Sequence, residues 1–241
     1  MKISVIVPAF NEEKLLGASL TEINAAANAF TARGWQYELC VCDNNSTDQT
    51  AAIARQHGAK VIFEPVNQIA RARNTGASIA TGDWFVFVDA DTHPSEKLFA
   101  DVATQISGGN ILAGGVTMRL DEKLFIAGLV THFWNYSSRL ARLMAGSFIF
   151  VEAAAFRQVG GFSHEFYAAE ELDLSIRLKK LARATGRKVV ILHRHPILTS
   201  ARKMRLYSGR ELGIFFLRSI FQHRRTVRDR EAAFMWYDGR R

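Results

Sequence analysis

Trp84-Phe85-Val86-Phe87-Val88-Asp89-Ala90-Asp91-Thr92 is an almost wholly apolar run that stops at two carboxylates set one residue apart. The run reads as a short buried strand, and in extended chain residues two apart point the same way, so Asp89 and Asp91 share a site. Like charges this close are unfavourable unless a cation sits between them. Their oxygen-only donor set suits Mg²⁺ or Mn²⁺, which complete their shell with phosphate and water. Asp-x-Asp by itself is also a common turn cap, and what favours the metal is the place of this one, after a buried strand and beside other polar loops.

Working outward, Ile3–Val7, Tyr37–Cys42 and Lys60–Phe63 are further short runs of strand type. Between them Glu12–Phe30, Thr47–His57 and Ile69–Ala80 carry apolar positions at helical spacing, each behind a polar capping or turn residue. Alternation of this kind predicts repeated βαβ units: an α/β fold with a mostly parallel central sheet and helices on both faces. In the second half Ile111–Met118, Phe148–Glu152 and Lys188–His193 read as strands, and Leu124–Leu143 and Glu170–Ala182 as helices. No linker, repeat or low-complexity tract interrupts them, so residues 1–205 are expected to form one domain. A helical tail over 206–241 follows, apolar at Leu212, Phe215, Phe216 and Ile220 and then strongly basic.

The chain of 241 residues is 48% hydrophobic and 22% charged, which excludes disorder as the main reading. Its +8 net charge is concentrated: residues 202–241 hold eleven Lys/Arg against four Asp/Glu, +7, and the rest is nearly balanced. The tail shows no nucleic-acid motif and no stacking platform, so no nucleic-acid partner is expected. Cys40 and Cys42 alternate onto one face of a strand and read as small buried hydrophobes, a usage that fits a reducing cytoplasm. The N-terminus lacks a signal-peptide pattern, and no stretch approaches the ~20 apolar residues of a membrane span. The expectation is a cytoplasmic protein whose tail, through its apolar stripe and Arg224, Arg225, Arg228 and Arg230, either docks on the inner membrane face or packs on the domain.

In an open α/β sheet the ligand crevice lies beyond the carboxyl ends of the strands. Three polar loops meet there: Pro8-Ala9-Phe10-Asn11-Glu12, Asp43-Asn44-Asn45-Ser46-Thr47-Asp48 and Asp89-Ala90-Asp91-Thr92. Asp43 can accept from a base N–H or a ribose hydroxyl, or cap the helix that follows. Arg71 and Arg73, at the start of the third helix, can reach diphosphate oxygens or line a solvated face. Glu170, Glu171 and Asp173 place three acids in four positions after Gly160-Gly161-Phe162. That is more than a helix start needs for its dipole, and a carboxylate at a pocket edge can serve as a general base.

Over roughly residues 1–195 the chain resembles the family 2 glycosyltransferases with the GT-A fold. The motifs occur in the family's order: Ser4 to Glu12, Asp43 to Asp48, Ala72-Arg73-Asn74-Thr75-Gly76 leading to Gly82-Asp83, Asp89-Ala90-Asp91, Gly160-Gly161-Phe162 and Glu170-Glu171-Leu172-Asp173-Leu174. The resemblance implies a nucleotide-diphospho-sugar donor, Mg²⁺ or Mn²⁺, and direct displacement with inversion onto an acceptor hydroxyl or phosphate. It implies a donor-binding half over 1–118 and an acceptor half over 119–205. Pro8, Ala9, Asn11, Glu12 and Asp43 would surround the nucleoside. Arg73, Asp89, Ala90 and Asp91 would meet the diphosphate, Asp89 and Asp91 holding the metal. Glu171 would be the base, with Glu170 and Asp173 as its rivals; the family usually has Glu-Asp where this chain has Glu170-Glu171. A histidine near the last strand ligates metal in some relatives, which brings in His193 and His195. A lipid-linked acceptor would accord with a membrane-docked tail.

Two rivals stand outside this reading besides nucleic-acid binding. A phosphatase of the haloacid-dehalogenase type uses an Asp-x-Asp loop, but after the first strand and with the Thr one place later than Thr92. A dehydrogenase would need Gly-x-Gly-x-x-Gly after an early strand, and none is present.

Overall fold

The computed structural model describes residues 1–121, 125–200 and 227–231. Four parallel strands open it: β1 (Lys2–Ala9), β2 (Gln36–Asp43), β3 (Lys60–Phe63) and β4 (Trp84–Val88). With β5 (Thr92–His93), β6 (Ile111–Leu120), β7 (Phe148–Glu152) and β8 (Lys188–Thr199) they make one sheet in the order β3-β2-β1-β4-β7-β6-β8-β5. β7 runs against β4 and β6, and β5 against β8, so the sheet is mostly parallel as expected. The chain steps from β1 outward to β2 and β3 and then returns to the other side of β1 for β4, the kind of reversal at which such sheets place a ligand crevice beyond the strand ends.

Strand alternation builds two cores. Val5, Val7, Val41 and Val86 face α1 (Leu16–Ala26) and α5 (Glu96–Ser107); Ile6, Cys40, Phe85 and Phe87 face α4 (Ile69–Ser78), α7 (Ala153–Gln158) and α8 (Glu170–Ala184). Helices therefore cover both faces. α5 and α7 were not among the helices expected. The signal for α5 lies in the sequence: Ser95 accepts from the Leu98 N–H as a cap, and Leu98, Phe99, Val102, Ala103 and Ile106 make the buried stripe.

Both cysteines are buried and free, and burial, with Glu38 beside Cys40 and Glu64 beside Cys42, pushes their thiols up to about 11 and about 12. They are unreactive core residues, as read. β8 runs six residues past its expected end. Its pairing with β6 breaks between Leu192 and Ile197, so His193 and His195 sit on an irregular stretch within the strand instead of at its tip.

α4 lies close on β1 and β2 because Gly76 has no side chain: a Cβ there would stand 2.7 Å from the Ile6 methyl and 3.5 Å from Cys42 Cβ. Gly76→Ala is expected to cost about 1–3 kcal/mol through overpacking, read as a lower denaturation midpoint at unchanged denaturant dependence.

Candidate active site

Hydrogen bonds stitch the first two polar loops together. Asn11 N–H donates to Ser46 Oγ at 3.0 Å, Thr47 N–H to Asn11 Oδ1 at 2.8 Å, and Glu12 N–H to Thr50 Oγ1 at 2.8 Å. Asn11 and Asn45 take left-handed backbone, at φ 50° and 66°, a conformation asparagine tolerates better than most side chains. Pro8, Ala9 and Glu12 are buried beneath these turns, and Asp43 accepts from Ser46 N–H at 3.0 Å. Asp48 accepts from Thr50 N–H at 2.9 Å, just ahead of the helix Thr50–Gln56, whose N-cap residue Gln49 makes no side-chain capping bond. Asn44 is wholly occupied by structure: its amide donates to the Glu64 and Val66 carbonyls and accepts from Gln68 N–H.

After β4 the chain turns at once, Thr92 N–H donating to the Asp89 carbonyl at 3.2 Å. Asp89 and Asp91 therefore lie on a turn and not on extended strand, so the strand alternation expected to point them the same way does not apply. Asp91 is buried, Asp89 partly exposed, and Ala90 buried between them.

Asp89 has a basic partner from another element. Arg73 of α4 is 1% exposed, and its two terminal nitrogens bond Glu170, Asp89 (2.9 Å) and the Gly146 carbonyl (2.9 Å). Its guanidinium carbon lies 5.2 Å from the Phe162 ring centre. One cation thus joins α4, the β4 turn, α8 and the segment before β7. Burial works against its charge, but Asp89, Glu170 and Glu171 outweigh that and raise its pKa.

Asn74, next on the same helix, closes the junction from the other side. Its side chain donates to the Phe162 carbonyl at 2.8 Å and accepts from Phe162 N–H at 2.9 Å. Gly161 cannot be replaced here: its φ is +67°, and a Cβ would meet Asn74 Oδ1 at 2.7 Å. Gln68, also buried, donates to the His164 and Phe166 carbonyls. The Ala72-to-Gly76 and Gly160-to-Phe162 motifs are therefore two halves of one contact that seats α8.

α8 begins on Ala169 in left-handed backbone, φ 63°, which swings Glu170 inward. Glu170 is 3% exposed on Arg73, while Glu171 is partly exposed. Burial, then the charge of Glu170, raises Glu171 to about 8, Arg73 only partly offsetting them. Burial also raises Glu170 against the pull of Arg73. Asp173 is turned aside, paired with Arg177 one helical turn on. The contrast with Glu38, at the opposite ends of the strands, is instructive. Burial raises it too, but Lys2, Lys60, Ser4 and Thr81 donate to it and hold it well below the usual carboxylate range. Glu38 is a staple; Glu171 is a carboxylate left able to take a proton.

Among the described residues no group of three or more His, Cys, Asp or Glu is gathered to hold a metal. Asp89 and Asp91 carry hard oxygen donors, the class that suits Mg²⁺ or Mn²⁺ sharing its shell with phosphate and water. His195 is engaged elsewhere, its Nδ1 2.8 Å from Asp101 of α5, and His193 is exposed. Of the tail, Leu212, Phe215, Phe216, Ile220, Arg224 and Arg225 lie outside the described residues. Arg228 packs on the domain, paired with Glu165 at 2.9 Å and over the Phe166 ring, and the Val227 carbonyl accepts from Tyr167 N–H at 2.7 Å. Sequence reasoning missed Asn74, Gln68 and Gly146 as site builders; each acts through partners distant in the chain, which spacing does not reveal.

Residues 4–159 match the family model described as Glycosyl transferase family 2. An uncharacterized glycosyltransferase of Mycobacterium tuberculosis is 38% identical over 89 residues, 37% of this chain and 36% of that protein. A dolichol-phosphate mannosyltransferase of Pyrococcus furiosus is 32% identical over 123 residues, 48% of this chain and 33% of that one. The matches thus span about a third of these relatives' own length. The solved mannosyltransferase PcManGT of Pyrobaculum calidifontis, in complex with GDP-Man and Mn²⁺, superposes with a TM-score of 0.65 at 19% identity, over 90% of this chain and 64% of that one. That likeness extends to the fold.

Proposed function

This chain belongs to glycosyl transferase family 2, and we propose that it moves a sugar from a nucleotide-diphospho-sugar to an acceptor hydroxyl or phosphate by metal-dependent direct displacement with inversion. The observation that carries the reading is the Arg73 junction, which gathers Asp89, Glu170 and Glu171 beside the nucleoside-type loops at the crevice of the sheet. The bound GDP-Man and Mn²⁺ of the Pyrobaculum relative support the donor and metal class. A lipid-phosphate acceptor accords with the Pyrococcus relative named for dolichol phosphate.

In this mechanism Pro8, Ala9, Asn11, Glu12 and Asp43 hold the nucleoside, their loops held in shape by the Asn11 and Ser46 bonds. Asp89 and Asp91, flanking Ala90, are the residues that would hold Mg²⁺ or Mn²⁺, and Arg73 keeps Asp89 from swinging away. When bound, the metal offsets negative charge growing on the leaving nucleoside diphosphate. Where the acceptor is a hydroxyl, Glu171 takes its proton, while Glu170 is spent on Arg73 and Asp173 on Arg177; a phosphate acceptor arrives already ionised. Holding donor and acceptor in line contributes the rest, because a two-substrate displacement gains greatly from orientation.

Calorimetric titration of UDP- and GDP-sugars with Mn²⁺ and with EDTA tests the reading. One donor is expected to bind at least tenfold more tightly with Mn²⁺, and Asp91→Ala should lose that gain. Metal-indifferent binding, or an unchanged metal response in Asp91→Ala, would refute it.

A further inference from the structure

The helix α6 (Phe125–Ala141) presents an apolar stripe to solvent. Some of its polar groups face the protein, although His132 and Arg139 are exposed: the Asn135 amide donates to the Met118 carbonyl at 2.8 Å and accepts from Met118 N–H at 3.0 Å, and Ser138 is buried. Trp134 is half-buried, but other large apolar residues of the helix face out. Leu129, Phe133, Tyr136 and Leu140, spaced four, three and four apart, form one stripe and are 59%, 72%, 65% and 77% exposed. A helix packed on a sheet ordinarily turns such a stripe inward, and a contiguous apolar surface left in water marks an interaction site.

The stripe ends at a basic cavity. Leu140 borders a hollow of about 390 Å³ together with Arg142, Lys179, Arg183, Arg187 and Lys188, and no acidic side chain lines it. Arg187 is paired with Glu152, and Lys179 donates to the Ala141 carbonyl. Among the described residues no carboxylate pairs with Arg142, Arg183 or Lys188. The complement of this face is a surface both apolar and anionic. A second copy meeting it about a two-fold axis would set cation against cation. The chain's own tail, at +7 over residues 202–241, has the same sign.

We propose that α6 and this basic cavity dock the protein on an anionic phospholipid surface, with Phe133, Tyr136 and Leu140 entering the headgroup–acyl boundary and the cavity receiving headgroup phosphate. The connection leaving α6 runs directly to Gly146, whose carbonyl accepts from Arg73. Docking would therefore hold the candidate active site beside the membrane, where a lipid-linked acceptor is carried. That last consequence rests on the transferase reading; the docking does not.

The test is flotation of the full chain with vesicles of phosphatidylglycerol and phosphatidylcholine against phosphatidylcholine alone. Co-flotation with the anionic vesicles at low salt, weakened by salt, is expected. Phe133→Ser/Leu140→Ser and, separately, Arg142→Glu/Lys188→Glu should each lower the bound fraction at least tenfold. Unchanged circular dichroism and donor binding would show that these surface variants are folded. Failure of the wild type to float at low salt overturns the proposal. Wild-type flotation in both variants does so too, since the contact would then lie elsewhere, as in the tail. So does a wild-type dimer that ignores vesicles and that Phe133→Ser/Leu140→Ser dissociates.

Discussion

Arg73→Met should melt about 10 °C below the wild type and lose turnover. The guanidinium is almost wholly buried, and removing it leaves the Glu170 carboxylate, 3% exposed, without a counter-charge. Breaking one partner of a buried pair costs about 3–5 kcal/mol, more than the pair contributes while intact, because the remaining ion stays desolvated. In a domain of this size each kcal/mol moves the melting temperature by about 2–4 °C. Arg73→Lys should fail nearly as badly, since one ammonium cannot reproduce the fork that reaches Glu170, Asp89 and the Gly146 carbonyl together. Adding Glu170→Gln to Arg73→Met removes the stranded charge. Scanning calorimetry should then recover several degrees, while activity stays absent because Asp89 remains unheld. A melting temperature for Arg73→Met within about 2 °C of wild type would remove Arg73 from the centre of the site.

Glu171→Gln should slow turnover by about 100-fold or more while leaving donor affinity nearly intact, because it keeps size and hydrogen bonding but cannot accept a proton. The pH profile makes the assignment sharper. Burial and the neighbouring Glu170 raise Glu171 to about 8, so below that pH it is protonated and unable to act as base. The wild-type kcat/KM should climb about tenfold per pH unit below neutrality, about fivefold from pH 7 to 8, and level off above that. The residual activity of Glu171→Gln should lack that rise. If the rise persists in Glu171→Gln, or if Glu170→Gln alone abolishes it without lowering the melting temperature, the base has been misassigned.

Much of this architecture was legible in the chain. Lys60–Phe63, Trp84–Val88 and Phe148–Glu152 form strands at their expected bounds, and α4 starts at Ile69 as expected. The polar residues after β1, β2 and β4 lie at one edge because parallel neighbours end together. α5 is equally legible, since its Ser95 cap and apolar stripe are plain in the sequence. The two carboxylates of Asp89-Ala90-Asp91 stand at the end of a buried strand, as the apolar run before them predicts, although a turn, and not strand alternation, carries them.

What the sequence alone determined is what local backbone geometry determines: the period of the apolar residues, the ends of strands, the turns that asparagine and glycine permit, and hence an α/β sheet with a polar crevice. Only the tertiary structure decided the division of labour inside that crevice. Arg71 and Arg73 look alike as text, yet only Arg73 is buried on Asp89 and on Glu170, 97 positions away. Glu170 and Glu171 are adjacent and chemically identical. Arg73 occupies the first, and burial and the like charge of Glu170 push the second up to about 8. The outward apolar face of α6 is equally undecidable from periodicity, which shows that a helix has two sides but not which one the sheet covers. Partner choice and desolvation depend on distances through space, and those exist only once the chain has folded.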